Sequence, residues 1–489
     1  MTTVNPDYRV LIGGELRSAA SGRRFHVLNP ATEEVIAEVP DCDRTDVEAA
    51  IASAGAARDD WAAQVPSDRS RALLALAQAI EDDAEGFAAL ETLDVGKPQA
   101  VSEELIPACV DFLRYFACSA RVHHDVTTGE YVPGRTSTVL REPVGIVGAI
   151  STWNDPLAIA VLKIGAALAA GNVLILKPSE LAPLTTIRLA EIAADILPPG
   201  VLNVVTATGP GTGMELVANE AIDMVSYTGS VSTGKIIARD AAGTLKRVHL
   251  ELGGKAPAIV FDDADLELAV QTIGLGGFYN SGQDCTAACR VLVQDGLLDR
   301  TVDALVKRVT ELRVGDPAAG PHIDMGPLIS SSHRSSVMGF VERAVGDGGE
   351  IVTGGRPLER AGFFMEPTVL VGVAQTSEAV QKEIFGPVVT VQRFADEEDA
   401  IAMANDVHYG LASSVFTENG ARALRVARRL KFGTVWVNDH LAVAAEMPFG
   451  GYRESGYGKE LSTYSSDCFT QIKHVMLSTA RHDARAGLV

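Results

Sequence analysis

Pro156-Leu-Ala-Ile-Ala-Val-Leu-Lys-Ile-Gly-Ala-Ala-Leu-Ala-Ala-Gly-Asn-Val-Leu-Ile-Leu-Lys-Pro-Ser-Glu180 is the stretch that decides the fold class. Proline is tolerated at the first helical position, and Gly171 is a natural stop, so the spacing predicts a helix over 156–170. Val173 to Leu176 is apolar without alternation, the pattern of a strand buried on both faces. A polar turn, Lys177-Pro-Ser-Glu180, follows at once. Outward from this unit the rhythm recurs, with short apolar strands at Val201–Val205, Met224–Tyr227 and Ala258–Phe261. Strands alternating with helices predict an α/β protein with mostly parallel sheets. Ser70 to Leu93 reads as one amphipathic helix stopped by Gly96 and Pro98. Two segments break the rhythm. His123 to Glu142 reads as a β-hairpin off the main body, and Phe469 to Met476 as a further strand. Such strands pair either with another chain or within their own.

The chain has 489 residues, enough for about three domains and a large core without disulfide or metal support. Lysine and arginine number 42 against 63 acidic residues, a net charge of −21. A field of that sign repels nucleic-acid and anionic membrane surfaces, so neither partner is expected. The longest apolar stretch, Leu157 to Gly171, contains Lys163 and is shorter than the ~20 residues of a membrane span. Met1 to Val10 lacks the basic and apolar regions of a signal peptide. Six cysteines are too sparse for a disulfide framework, and Cys285-x-x-x-Cys289 is poor zinc spacing. The expected setting is the cytoplasm, with no metal.

Five segments carry chemistry. In Phe278-Tyr-Asn-Ser-Gly-Gln-Asp-Cys285, Gly282 permits a tight turn, and a thiol at such a turn or at the start of a helix gains thiolate stabilisation from backbone N–H groups. A small buried apolar residue is the plainer fate of a free cysteine. In His249-Leu-Glu-Leu-Gly-Gly-Lys255, Glu251 stands among apolar residues beside a flexible Gly-Gly, which suits a general base of raised pKa. An ordinary strand-end Glu reads equally well. Lys177-Pro-Ser-Glu180 follows a strand, where α/β sheets bind ligands, so Lys177 can reach a phosphate or ribose and Glu180 ribose hydroxyls. Tyr227-Thr-Gly-Ser-Val-Ser-Thr-Gly234 places Gly229 before a helix that can face a phosphate. Gly229 to Lys235 fits GxxxxGK, but Ile236 stands where a P-loop needs Ser or Thr. Asn154, just before the helix, can donate to an oxyanion or act as a helix cap. Gly209-x-Gly211-x-Gly213 alone is weak.

Together these pieces resemble the aldehyde dehydrogenase superfamily from about Val27 to Met476. In family order they are Trp153-Asn154, Lys177-Pro-Ser-Glu180, Thr228-Gly-Ser230, Glu251-Leu-Gly-Gly-Lys255, Gly282-Gln-Asp-Cys285, Glu383-Ile-Phe-Gly-Pro387, Asn405-Asp406 with Tyr409-Gly-Leu-Ala412, and Pro448-Phe-Gly-Gly451 with Ser455-Gly456. The resemblance implies that Cys285 attacks the aldehyde and that the Asn154 side chain and Cys285 N–H hold the oxyanion. Hydride then leaves for the nicotinamide, and Glu251 activates the water that hydrolyses the thioester. It implies NAD contacts at Trp153, Lys177, Ser179, Glu180, Gly209, Gly229, Ser230, Leu252, Glu383 and Phe385. A carboxylate at Glu180 disfavours a 2′-phosphate, so NAD is expected over NADP, with NADP possible.

Closer phrases, including Tyr279-Asn-x-Gly-Gln-Asp-Cys-Thr-Ala-Ala-Cys-Arg290 and Glu446-Met-Pro448, resemble gamma-aminobutyraldehyde dehydrogenases. Acidic Asp284 and Glu446 near an entrance suit an ammonium tail. Asp155 stands where the family usually has an aromatic, and Leu162 where many aminoaldehyde-oxidising relatives have Trp. Asp155 thus either adds cation selectivity or marks another substrate. Phe449 completes the expected substrate pocket. Thr152 replaces a usual Pro and reads as a backbone variation. The resemblance further implies a Rossmann-like NAD-binding domain (1–123 and 144–252) and an α/β catalytic domain (253–455). A small β oligomerisation arm with a C-terminal tail (124–143 and 456–489) would make a homodimer or homotetramer. Two other classes stay open: a nicotinamide-independent cysteine hydrolase or acyltransferase, for which no Cys–His signature is visible, and a non-catalytic relative.

Overall fold

A computed structural model describes residues 7–122 and 128–479. An eight-stranded sheet runs in the order Gly456–Tyr457, Arg247–Leu252, Met224–Gly229, Ile146–Ile150, Val173–Lys177, Leu202–Val204, Val10–Ile12, Glu15–Arg17. Its five central strands are parallel, and antiparallel strands close both edges. A second sheet of seven strands, Glu350–Thr353 to Thr434–Val437, is parallel apart from its first pair. Val173–Lys177 is buried along its whole length, as its unbroken apolar run requires. The helix Pro156–Ala169 packs on it, also almost wholly buried. Leu157, Val161, Ile164, Leu174 and Leu176 share one core with Leu113 and Phe116. Each such side chain contributes about 1.5–3 kcal/mol of hydrophobic stabilisation.

The helix expected over Ser70–Leu93 is two helices, Pro66–Asp82 and Ala84–Val95. Asp83 leaves helical geometry, and its carboxylate folds back to where a side chain on Gly86 would stand, 2.3 Å from an ideal Cβ. Arg188 holds it there at 3.0 Å. The apolar period continues through the break, which hides it.

Strands Thr128–Val132, Arg135–Pro143 and Thr470–Ser478 form a third, antiparallel sheet within the chain. Its C-terminal strand exposes Ile472, Val475, Met476 and Leu477. Gly456–Tyr457 lies in the eight-stranded sheet, where a boundary at 455 would have put it with the arm. Gly456, at φ +105°, comes so close to Leu250 that a Cβ would lie 2.1 Å from its carbonyl oxygen.

Candidate active site

The carboxyl ends of the central parallel strands deliver Asn154, Lys177, Gly229 and Leu252 to one edge of the first sheet. Against that edge the second sheet's part of the chain brings Cys285 and Glu383. Two glycines make the approach possible. A Cβ on Gly254 would lie 2.2 Å from the Cys285 carbonyl oxygen, and one on Gly282 the same distance from the Gly386 oxygen. No helix opens at Cys285. The turn Tyr279–Gly282 instead holds Asn280, Ser281 and Gly282 in the left-handed region, at φ +46°, +59° and +69°. Each non-glycine residue there costs about 1–2 kcal/mol. Hydrogen bonds offset it: Asn280 Nδ2 donates to the Asn154 carbonyl at 3.0 Å, and Gln283 Oε1 accepts from Ile329 N at 2.9 Å.

Between the sheets lies a cavity of about 710 Å³. Cys285, Asn154 and Glu251 all border it, as do Trp153, Gly229, Ser230, Leu252, Glu383 and Phe385 of the expected cofactor set. Of the expected substrate set, Asp155, Leu162, Asp284 and Phe449 line it. Glu446 does not. It is exposed beside Tyr115, whose phenol it helps push up, while buried Ala445 anchors the loop. Lys177, Ser179, Glu180 and Gly209 sit together further along the sheet edge. Lys177 Nζ is 3.6 Å from Glu180, and Glu180 accepts from Gly209 N at 3.2 Å. The Ser179 hydroxyl accepts from Leu181 N within the turn.

Burial and the neighbouring Glu460 push Glu251 well above the usual carboxylate range, and Glu251 Oε1 is buried without a partner. Behind it Glu460 pairs with Lys163 at 2.6 Å, both buried. The half-buried Cys285 thiol is also pushed up, first by burial, then by Asp284, Glu251, Glu383 and Asp155. The resting sulfur is therefore a thiol, because burial and the surrounding carboxylates outweigh any N–H dipoles expected to favour the thiolate. Glu383 accepts from Gly254 N at 2.9 Å, and burial moves it up to about 7. Phe385, at φ +57°, is pinned by His333 Nε2 at 2.7 Å from its carbonyl and packs edge-to-face on Trp153.

Asn154 is buried, but Asp155, not Asn154, occupies the cap position of the following helix, and the Asp155 side chain caps nothing. Its carboxylate turns instead to Lys97, 2.6 Å away and wholly buried. The only histidine on the cavity wall among the described residues is His440. It donates from Nε2 to the Thr286 carbonyl, accepts at Nδ1 from the Ser414 hydroxyl, and is held neutral by burial, near 4. A cysteine–histidine pair finds no base here.

Glu460, Lys97 and Thr152 were not singled out from sequence as site residues. A lysine inside an apolar helix, as at Lys163, was the available sign of a buried carboxylate.

The aldehyde dehydrogenase family model matches residues 17–475. The chain belongs to the aldehyde dehydrogenase family. It is 40% identical to a betaine aldehyde dehydrogenase of Bacillus subtilis, over 96% of this chain and 97% of that one. The structure of a betaine aldehyde dehydrogenase from Staphylococcus aureus in complex with NAD+ superposes with a TM-score of 0.96 at 37% identity, covering 99% and 98% of the two chains. An aldehyde dehydrogenase from Bacillus cereus, also an NAD+ complex, gives 0.96 at 39% identity, with 98% of each chain covered. These relatives carry the betaine aldehyde name or the general one, not the aminobutyraldehyde name that the closer phrases suggested. As an aldehyde dehydrogenase the chain is an oxidoreductase. Among its described residues no helix is long and apolar enough to cross a membrane.

Proposed function

We propose that this enzyme oxidises a cationic aminoaldehyde, such as 4-aminobutanal, to its carboxylic acid with NAD. The carrying observation is the cavity wall. Glu104, Asp155, Glu251, Asp284, Glu383 and Glu460 line it, and among the described residues no lysine or arginine does. Such a wall attracts an ammonium. Asp284 is the best-placed receptor: Thr286 N and Oγ1 both donate to its Oδ1, and among the described residues none donates to its Oδ2.

The residues present fit NAD. Ser230 caps the helix Val231–Ala241, whose N-terminus faces the cleft, and Thr228 Oγ1 is buried there without a partner. Gly234 lets that helix lie on Leu252, 2.7 Å from an ideal Cβ. Lys177 and Glu180 would hold the adenosine ribose, and Glu180 would disfavour a 2′-phosphate. Glu383 and Phe385 would hold the nicotinamide end. When bound, NAD supplies the acceptor for the electron pair leaving the aldehyde carbon.

The Cys285 thiol gives its proton to Glu251 Oε1 as sulfur bonds to the carbonyl carbon. Asn154 Nδ2 and Cys285 N–H hold the resulting oxyanion. After oxidation to the thioester, Glu251 releases that proton to solvent and takes one from water, whose oxygen displaces the sulfur; the sulfur leaves as thiolate and recovers a proton from Glu251. Lys163 and Glu460 stand behind Glu251, one favouring its ionised form and the other opposing it.

A second reading, betaine aldehyde, is favoured by the names of the relatives. Quaternary ammonium is best held by aromatic faces, whereas a primary ammonium donates to carboxylates. Leu162 and Asp284 give an aliphatic and acidic wall, which favours the primary amine. Steady-state kinetics with 4-aminobutanal, betaine aldehyde and butanal decide. The expected order of kcat/KM is as written, and butanal equal to 4-aminobutanal overturns the cationic reading. A KM lower for NADP than for NAD overturns the cofactor preference. We further propose a cytoplasmic homodimer or homotetramer joined through the strand Thr470–Ser478, which stands at the edge of its sheet among the described residues and exposes Ile472, Val475, Met476 and Leu477.

A further inference from the structure

We propose that Asp155, neutralised by Lys97, is a positioning residue for the Asn154 amide and not the receptor of a substrate cation. The proposal rests on Asn154 being the oxyanion donor. Asp155 uses both carboxylate oxygens. Oδ1 accepts from Lys97 Nζ at 2.6 Å, and Oδ2 from Asn154 Nδ2 at 3.1 Å. On its other side the Thr152 hydroxyl donates to Asn154 Oδ1. The amide is gripped at its carbonyl and at one N–H, which fixes its plane and its O/N orientation. Its second N–H remains for the cavity that Asn154 shares with Cys285.

A bare carboxylate beside a developing oxyanion would oppose catalysis by simple Coulomb repulsion. Lys97 cancels it. Its ammonium is wholly buried and fixed from the far side by Glu91 at 2.7 Å. Two carboxylates hold it protonated. The same facts argue against Asp155 as a cation receptor, since 18% of its side chain is exposed and its charge is already met. The pairing accounts for an aspartate at this place in the wall. Lys97 lies 58 residues earlier in the chain, in the loop Gly96–Pro98 between two helices.

Asp155→Asn tests this with almost no change in volume. Lys97 claims the single remaining oxygen, so the new NH₂ faces the Asn154 NH₂, donor against donor. The expected result is a kcat about tenfold lower with both 4-aminobutanal and hexanal. Both KM values and the Kd for NAD stay within about twofold. In an Asn154→Ala background the same substitution costs nothing further, since the group it positions is gone. Thr152→Val, which releases the other end of the amide, reproduces the pattern and decides the matter if Asp155→Asn folds poorly. A rise in KM confined to 4-aminobutanal, an unchanged kcat, or an additive loss in the Asn154→Ala background overturns the proposal. Full kcat in Asn154→Ala alone overturns the oxyanion role itself. Preference for hexanal over 4-aminobutanal in the parent enzyme overturns only the substrate reading.

Discussion

Lys163 and Lys97 are both buried, and each lies 2.6 Å from a carboxylate that borders the cavity, yet they differ in what they face. Lys163 meets one acid, Glu460, behind the proposed base. Lys97 meets two, Glu91 and Asp155, behind the proposed oxyanion donor. The first pair is neutral and sits beside a group that must change charge, so it tunes a proton. The second carries a surplus carboxylate and sits beside a group that must stay still, so it fixes a direction. One helix links them, since Pro156–Ala169 begins directly after Asp155 and contains Lys163.

Lys97→Met should be the most damaging change. It strands a buried carboxylate, Glu91, and a half-buried one, Asp155, and breaking even one buried pair costs about 3–5 kcal/mol. Urea denaturation or soluble yield should show a loss larger than for Lys163→Met. The latter should cost about 3–5 kcal/mol and, by removing a cation near Glu251, move the alkaline rise of kcat to higher pH. Equal losses from the two lysines would break the comparison. Glu383 is the contrasting case, a half-buried carboxylate with a backbone N–H partner and, among the described residues, no ion pair. Its folded value, about 7, lies above the ordinary 4.5, so it costs stability progressively as pH rises from 4.5 to 7 and no more beyond. Glu383→Gln should therefore be up to about 3 kcal/mol more stable than the parent at pH 8 and no different at pH 4, while binding NAD less tightly. Asp284→Asn should have the smallest effect. A few-fold rise in KM for 4-aminobutanal with none for hexanal reports a partly solvated charge, worth about 1 kcal/mol or less.

Much of the fold could be read from local pattern. Val173–Lys177 is apolar without a break and is buried without a break, because a strand covered on both faces permits nothing else. The break at Asp83 could not be read that way, because it depends on a missing side chain three residues later and an arginine 105 residues away. The site divides similarly. Cys285, Asn154 and Glu251 stand in motifs, and the structure gathers them on one cavity. The ionisation of Cys285 is not legible locally, because a turn suggests N–H dipoles, whereas burial and carboxylates at Asp284 and on three distant segments (Glu251, Glu383 and Asp155) set it. Asp155 looked like an open charge, and Thr152 like a backbone variation, for the same reason. Partners at long range in sequence leave no periodic trace.

The acidic wall has a consequence for the far side of the reaction. Turnover converts a neutral carbonyl into an anion inside a chamber edged by like charge. Retention of the acid is therefore unfavourable, and the repulsion grows only once the thioester has been cleaved. The chamber thus separates what has reacted from what has not by sign alone.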